Sequence, residues 1–345
     1  MANKYKNKNV KDIAFNSNKI YFEFIRDIAT DSSSYGVDNT MVIFKSNDDI
    51  LYFIYAKKNS IISYDLINNQ KINEIKDYNN SYVTNLKHYF HKNKRQDLII
   101  SASVYKYLKL WKLNKWECLL NIETINVASD LGIACFLNLN NQIYIVTSNL
   151  YNFGPIKVFN LKGIAIKEIN NYQDKVECID IYYDNKTSQP YIITGNSGFV
   201  KSFDYNKSKV YHTYNDNGED YIKYNKIHFS FKIKNENNLI KLIESCVDGK
   251  IRIWNFHTGE LLNRIYISDE ELYGICLWND DYLFIGCSDN TIKILDIKKS
   301  KVIGNINGHK KYVLVLAKVN TPKYGEYLIS QEMNVSKLWK IKMNN

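Results

Sequence analysis

Apolar and polar positions along this chain repeat in a block averaging about 46 residues, within or just above the period of a propeller blade. Seven segments superpose: Ile61–Leu66, Leu108–Leu113, Ile156–Leu161, Val200–Tyr205, Ile251–Phe256, Ile292–Ile297 and Ser336–Ile341. Their fourth column reads Tyr64, Trp111, Phe159, Phe203, Trp254, Leu295 and Trp339, so only Leu295 is not aromatic. The fifth column is Asp or Asn in five copies, and the sixth is apolar in all. Each segment follows a run that is apolar at consecutive positions, from Leu51–Ala56 in the first copy to Tyr327–Glu332 in the last. Such runs predict strands covered on both faces. In six copies a segment with one polar face follows, for example Glu260–Ile265 or Lys301–Ile306, as suits an outer edge. Innermost strands are clearest at Val176–Tyr183, Leu272–Trp278 and Tyr312–Val319.

Four strands per repeat and seven repeats predict an all-β fold: a seven-bladed β-propeller of four-stranded antiparallel blades. The last copy lacks an outer strand, because the sequence ends at Asn345, six residues after Trp339. An orphan strand, Lys19–Phe24, precedes the first copy. Pairing it beside Ser336–Ile341 closes the ring and removes the open edges between first and last blades. The expected organisation is a polar tail over 1–18 and one propeller over 19–345, with 19–25 supplying the outer strand of the last blade.

Composition sharpens this picture. With 28 Tyr and 15 Phe, the apolar fraction of 45% leans toward strands. Only 14 Gly and 3 Pro are present, so Asn and Asp are expected to make most turns. Net charge is +10, and of 46 basic residues four are Arg (Arg26, Arg95, Arg252, Arg264), leaving 42 Lys. Lys-rich basicity fits codon bias better than a phosphate site built on the Arg fork. Six cysteines stand singly, without a CxxC pair or zinc spacing. With no signal peptide and no apolar run long enough to span a bilayer, an intracellular protein is expected, cytoplasmic or alternatively nuclear.

The fifth and sixth copies, Cys246–Phe256 and Cys287–Ile297, place Asp248 and Asp289 six residues before the aromatic column. Ile306–Val313 carries a Gly-His pair before an innermost strand. In these residues the chain resembles the WD-repeat family, as architecture over nearly its whole length and as motif over about the last hundred residues. The resemblance implies turn roles for Asp248 and Asp289, and makes His309, Ser330 and Trp339 three members of a buried hydrogen-bonded tetrad. The acid position of that tetrad falls on Met333, so the network is expected to be incomplete. Blades one to four hold Lys58, Tyr105, Phe153 and Ser197 at the same position. The resemblance also implies a rigid disc that holds proteins or peptides on its loops or around its channel.

No nucleophile motif, phosphate loop or dinucleotide fingerprint occurs, and no catalytic, cofactor or metal site is expected. His88 and His91 lack further ligands nearby. Lys or Arg two places before the aromatic column (Lys109, Lys157, Lys201, Arg252, Lys293, Lys337) reads as aliphatic stems packed between blades with heads on carboxylates or water. Sorting loops by end suggests one acidic face (Asp77, Glu123, Asp130, Asp216, Glu270) and one basic face (Lys92, Lys94, Arg95, Lys115, Lys162, Lys186), with solvated loops rich in Lys through codon bias as the alternative. The expected function is a non-catalytic interaction scaffold or adaptor for proteins or peptides, monomeric within an intracellular complex. Its candidate contacts are Tyr105, Asn152, Asn196, Tyr312 and Glu332. The alternative is RNA or ribonucleoprotein binding through the Lys-rich face. A propeller enzyme stands third.

Overall fold

The computed structural model describes residues 20–29, 40–76, 81–103, 107–123, 132–148, 154–170, 175–196, 198–216, 228–279, 281–333 and 335–343. Among these, 28 strands form seven four-stranded antiparallel sheets. After β1 (Ile20–Ala29), blade 1 holds β2 (Met41–Lys45), β3 (Leu51–Lys57), β4 (Ser60–Asp65) and β5 (Gln70–Ile75). Blade 2 holds β6 (Val83–His91), β7 (Gln96–Ser103), β8 (Tyr107–Lys112) and β9 (Glu117–Glu123). Blade 3 holds β10 (Ile133–Leu139), β11 (Gln142–Ser148), β12 (Ile156–Phe159) and β13 (Ala165–Ile169). Blade 4 holds β14 (Val176–Tyr183), β15 (Pro190–Asn196), β16 (Val200–Asp204) and β17 (Lys209–Tyr214). Blade 5 holds β18 (His228–Glu236), β19 (Leu239–Cys246), β20 (Lys250–Asn255) and β21 (Leu261–Tyr266). Blade 6 holds β22 (Leu272–Trp278), β23 (Tyr282–Cys287), β24 (Ile292–Asp296) and β25 (Lys301–Ile306). Blade 7 holds β26 (Val315–Thr321), β27 (Gly325–Gln331) and β28 (Val335–Met343). Each innermost strand touches the next, and β26 touches β2, so the seven sheets form a ring.

The orphan strand closes that ring as expected. β1 pairs antiparallel with β28, from Ile20 opposite Met343 to Ala29 opposite Val335, and runs five residues past the predicted end. Phe22 buries its ring edge-on against Trp278 and Phe284 of blade 6, and Phe24 meets Trp339. Asp27 pairs with Lys337, and Arg26 donates to the Leu66 carbonyl of blade 1. One N-terminal strand thus contacts blades 6, 7 and 1. The expected tail, 1–18, lies outside the described residues.

Periodic residues account for the turns. In five blades the fifth-column Asp or Asn accepts backbone N–H bonds from the turn into the outer strand. Asp65 takes Ile67 N at 2.9 Å, Asn160 takes Lys162 N at 2.9 Å, and Asp204 takes Lys207 N at 3.0 Å. Asn255 takes His257 N at 3.0 Å, and Asp296 takes Lys299 N at 2.9 Å. These are Asx turns, in which the side chain replaces a backbone acceptor. With or without the Asx bond, the turn into the outer strand contains one left-handed residue in each of blades 1–6: Asn69, Trp116, Gly163, Ser208, Gly259 and Ser300. Of 14 non-glycine residues with positive φ among the described ones, eight are Asn or Asp, which is how so few glycines suffice.

A second repeat lay unread in the sequence. The pairing of third and outer strands shifts register beside the aromatic column in each of the first six blades, and β1 shifts likewise in the seventh. The extra residue is apolar every time: Ile72, Leu119, Ile166, Tyr211, Leu262, Ile303 and Ile25. A bulge of this kind sharpens local twist. It also explains why several of the exposed aliphatic residues sit on outer strands.

Candidate interaction surfaces

The repeated polar residues are consumed inside the disc. Lys109 is buried with its ammonium 5.2 Å from the Tyr107 ring centre, and Lys201 lies 4.7 Å from that of Phe199. Lys157 meets Glu168 at 3.4 Å, Lys293 meets Asp289, and Lys337 meets Asp27. Arg252, 1% exposed, clamps Asp248 with its terminal nitrogens and Asp216 with Nε at 2.8 Å. Burial alone would raise the Asp216 pKa, but Arg264 and Arg252 hold it below the ordinary carboxylate range. The column of cations is therefore packing, as its stems suggested. Asp248 and Asp289 sit in their turns, accepting from Lys250 N and Thr291 N.

Blade 7 departs from expectation. His309 Nε2 lies 2.6 Å from Ser330 Oγ, which also accepts from Trp339 Nε1 at 2.7 Å. The acid of this network is Glu332, not the position of Met333. Its Oε2 takes His309 Nδ1 at 3.1 Å, Lys310 N at 2.8 Å and Lys311 N at 3.1 Å. The network is complete because a longer acid one residue earlier reaches the same point. Burial lowers His309 to about 4, outweighing the pull of Glu332 toward the protonated ring. Trp254 of blade 5 is buried too, but its indole N–H finds no partner.

The five candidate contacts separate accordingly. Tyr105 and Asn152 lie outside the described residues. Glu332 is 5% exposed and held as above. Asn196 is fully buried with both amide atoms unpartnered. Tyr312 is 52% exposed, and its ring stacks on Tyr273 at 6.3 Å. Tyr273 is fixed in turn by its hydroxyl on Glu271, and Glu270 reaches Ser288. This end of the disc thus presents one rigidly seated aromatic beside carboxylates. Of its other acids, Asp77 and Asp130 lie outside the described residues, and Asp216 is buried and neutralised.

At the opposite end, charge is uneven. Lys207, Lys298 and Lys299 lie against Asp204, Asp281 and Asp296. Lys92, Lys94, Arg95, Lys115, Lys162 and Lys186 are exposed on blades 2–4. The same three blades hold a cavity of about 900 Å³, which sequence reasoning missed. Three innermost strands build it. Lys87 of β6 reaches past β10 to Asp180 of β14 at 3.3 Å. Asn138 of β10 donates from Nδ2 to Tyr89 Oη at 2.7 Å and from its backbone N–H to Tyr183 Oη at 2.6 Å. Tyr89 and Phe136 pack at 5.2 Å, and burial pushes Tyr183 up to about 12. Crowding would raise Asp180, but the Lys87 charge and the Ile181 N–H keep it low. His88, also at this wall, stacks on Phe44 and bonds Asp97 at 2.7 Å. No helix among the described residues is long and apolar enough to cross a membrane.

No family model matches the chain. Over 68 residues it is 25% identical to the U3 small nucleolar RNA-associated protein 21 homolog of Schizosaccharomyces pombe, a stretch covering 20% of this chain and 8% of that protein. With the seven-bladed ring, this similarity supports the WD-repeat resemblance of the fold.

Proposed function

We propose that this chain is a non-catalytic platform that docks partner proteins or peptides within a larger assembly. Tyr312 is the observation that carries the reading. A half-exposed tyrosine stacked on a second, hydrogen-bonded ring offers contact area with little entropy left to lose. Quantitative affinity purification should recover a reproducible partner set with the wild-type chain and lose members of it with Tyr312→Ala, at unchanged melting temperature. Equal recovery by both proteins refutes the assignment of Tyr312.

A second reading is RNA or ribonucleoprotein binding through the Lys-rich end. The exposed cations concentrated on blades 2–4 favour it, and the similar yeast protein is by its name associated with a small nucleolar RNA. Binding of this kind falls steeply as salt rises, because phosphate contacts release counterions. Salt-independent RNA binding would rule it out.

A further inference from the structure

We propose that the cavity between β6, β10 and β14 is a nucleotide-binding site, taking one unpaired base with its phosphate directed to the surrounding lysines. The volume, about 900 Å³, suits a ligand of that size. One side is aromatic: Tyr89 and Phe136 pack at 5.2 Å, and Tyr183 follows across Asn138. The other side is formed by turn residues Asn140, Asn141, Thr187, Ser188 and Gln189. Amides and hydroxyls supply donors and acceptors together, as a base edge requires, and rings supply the stacking surface.

Charge selects among ligands. Within the cavity the Lys87–Asp180 pair is balanced, with 55% of the Asp180 side chain exposed, so a carboxylate remains available to a base amino group. Lys186, exposed and next to the lining residue Thr187, and Lys162, exposed on the neighbouring blade, provide cations for phosphate. An acidic peptide would satisfy those lysines but leave the rings and amides unused. The Tyr89–Asn138–Tyr183 chain of hydrogen bonds holds three blades in register, so the site is preformed. The proposal rests on the second reading only for the source of the nucleotide, an RNA strand or a free mononucleotide.

The test uses the full chain, with labelled octa-adenylate and octa-uridylate in fluorescence anisotropy and with AMP and UMP in calorimetry. Variants are Tyr89→Ala, Tyr89→Phe, Lys186→Glu, and Gln189→Trp, which fills the cavity from its loop should Tyr89→Ala fail to fold. Single-stranded RNA should bind; Tyr89→Ala and Gln189→Trp should weaken it roughly tenfold or more, and Tyr89→Phe, which keeps the ring and loses only the Asn138 bond, should weaken it far less. Mononucleotides bound with the same variant pattern, and no strand binding, support the site while refuting the RNA reading. Strand binding lost in Lys186→Glu but unchanged in the cavity variants overturns the site and leaves the basic-face reading standing. Binding of neither probe, or displacement of RNA by an acidic peptide from a Tyr89-independent site, also overturns it.

Discussion

Removing the Glu332 carboxylate tests the network that the sequence pattern misplaced. In Glu332→Ala, three donors lose one acceptor oxygen: His309 Nδ1 and the N–H groups of Lys310 and Lys311. The two lysines are exposed, so water can replace their bonds at a cost of about 0–1 kcal/mol each. His309 has no such recourse, since its side chain is fully buried, and an unsatisfied buried donor costs about 1–3 kcal/mol. The sum is about 1–5 kcal/mol. At about 2.1 cal/mol/K per residue, 345 residues give an unfolding entropy near 0.7 kcal/mol/K, so the melting temperature should fall by about 1.5–7 °C. Differential scanning calorimetry measures this directly. Met333→Ala is the control, because Met333 is 43% exposed and should change stability little. A Glu332→Ala transition within about 1 °C of wild type, or an equal fall in the control, refutes the reasoning.

Other consequences are equally direct. His309 binds fewer protons folded than unfolded between its folded value of about 4 and the ordinary 6.5, so its contribution is full above pH 6.5 and falls as pH drops toward 4; His309→Gln should flatten that slope in denaturant titrations. A Cβ on Gly249 would lie 1.8 Å from the Ser268 carbonyl at a φ of +75°, so Gly249→Ala should cost about 2–4 kcal/mol in urea unfolding. Truncation of residues 1–29 removes Phe22 and Phe24 from their aromatic partners and reopens β28, so the calorimetric transition should broaden and drop; an unchanged transition contradicts ring closure. Arg252→Met leaves Asp216 and Asp248 buried without their clamp and should destabilise by about 3–5 kcal/mol, whereas Lys157→Met, whose pair is half exposed, should change little.

What recurs along the chain was legible, and what converges across it was not. Strand order, the aromatic column, the turn acids and the N-terminal closure all follow from spacing, because each blade must repeat the same burial and the same turn. Glu332 escaped because a Glu one position early can replace an Asp, a matter of side-chain length that column counting cannot see. Asn196 was read as surface because it ends a strand, yet its side chain points into the fold. The cavity draws Lys87, Cys135 and Asp180 from equivalent register positions of three innermost strands, but the residue type differs in each blade, so no column of like residues marks it. The bulge at Ile72, Leu119 and their counterparts was periodic, but its signal, an apolar residue in a polar strand, looked like ordinary edge alternation.

On the function proposed above, repeated residues build the disc while its unrepeated loop ends gather partners. Size fractionation of gently lysed cells expressing the tagged chain at native level tests it most directly. The chain should elute in a discrete assembly far larger than one copy, and Tyr312→Ala should shift it toward the single-chain position. Elution of the wild-type chain as a lone monomer at every salt concentration would contradict it.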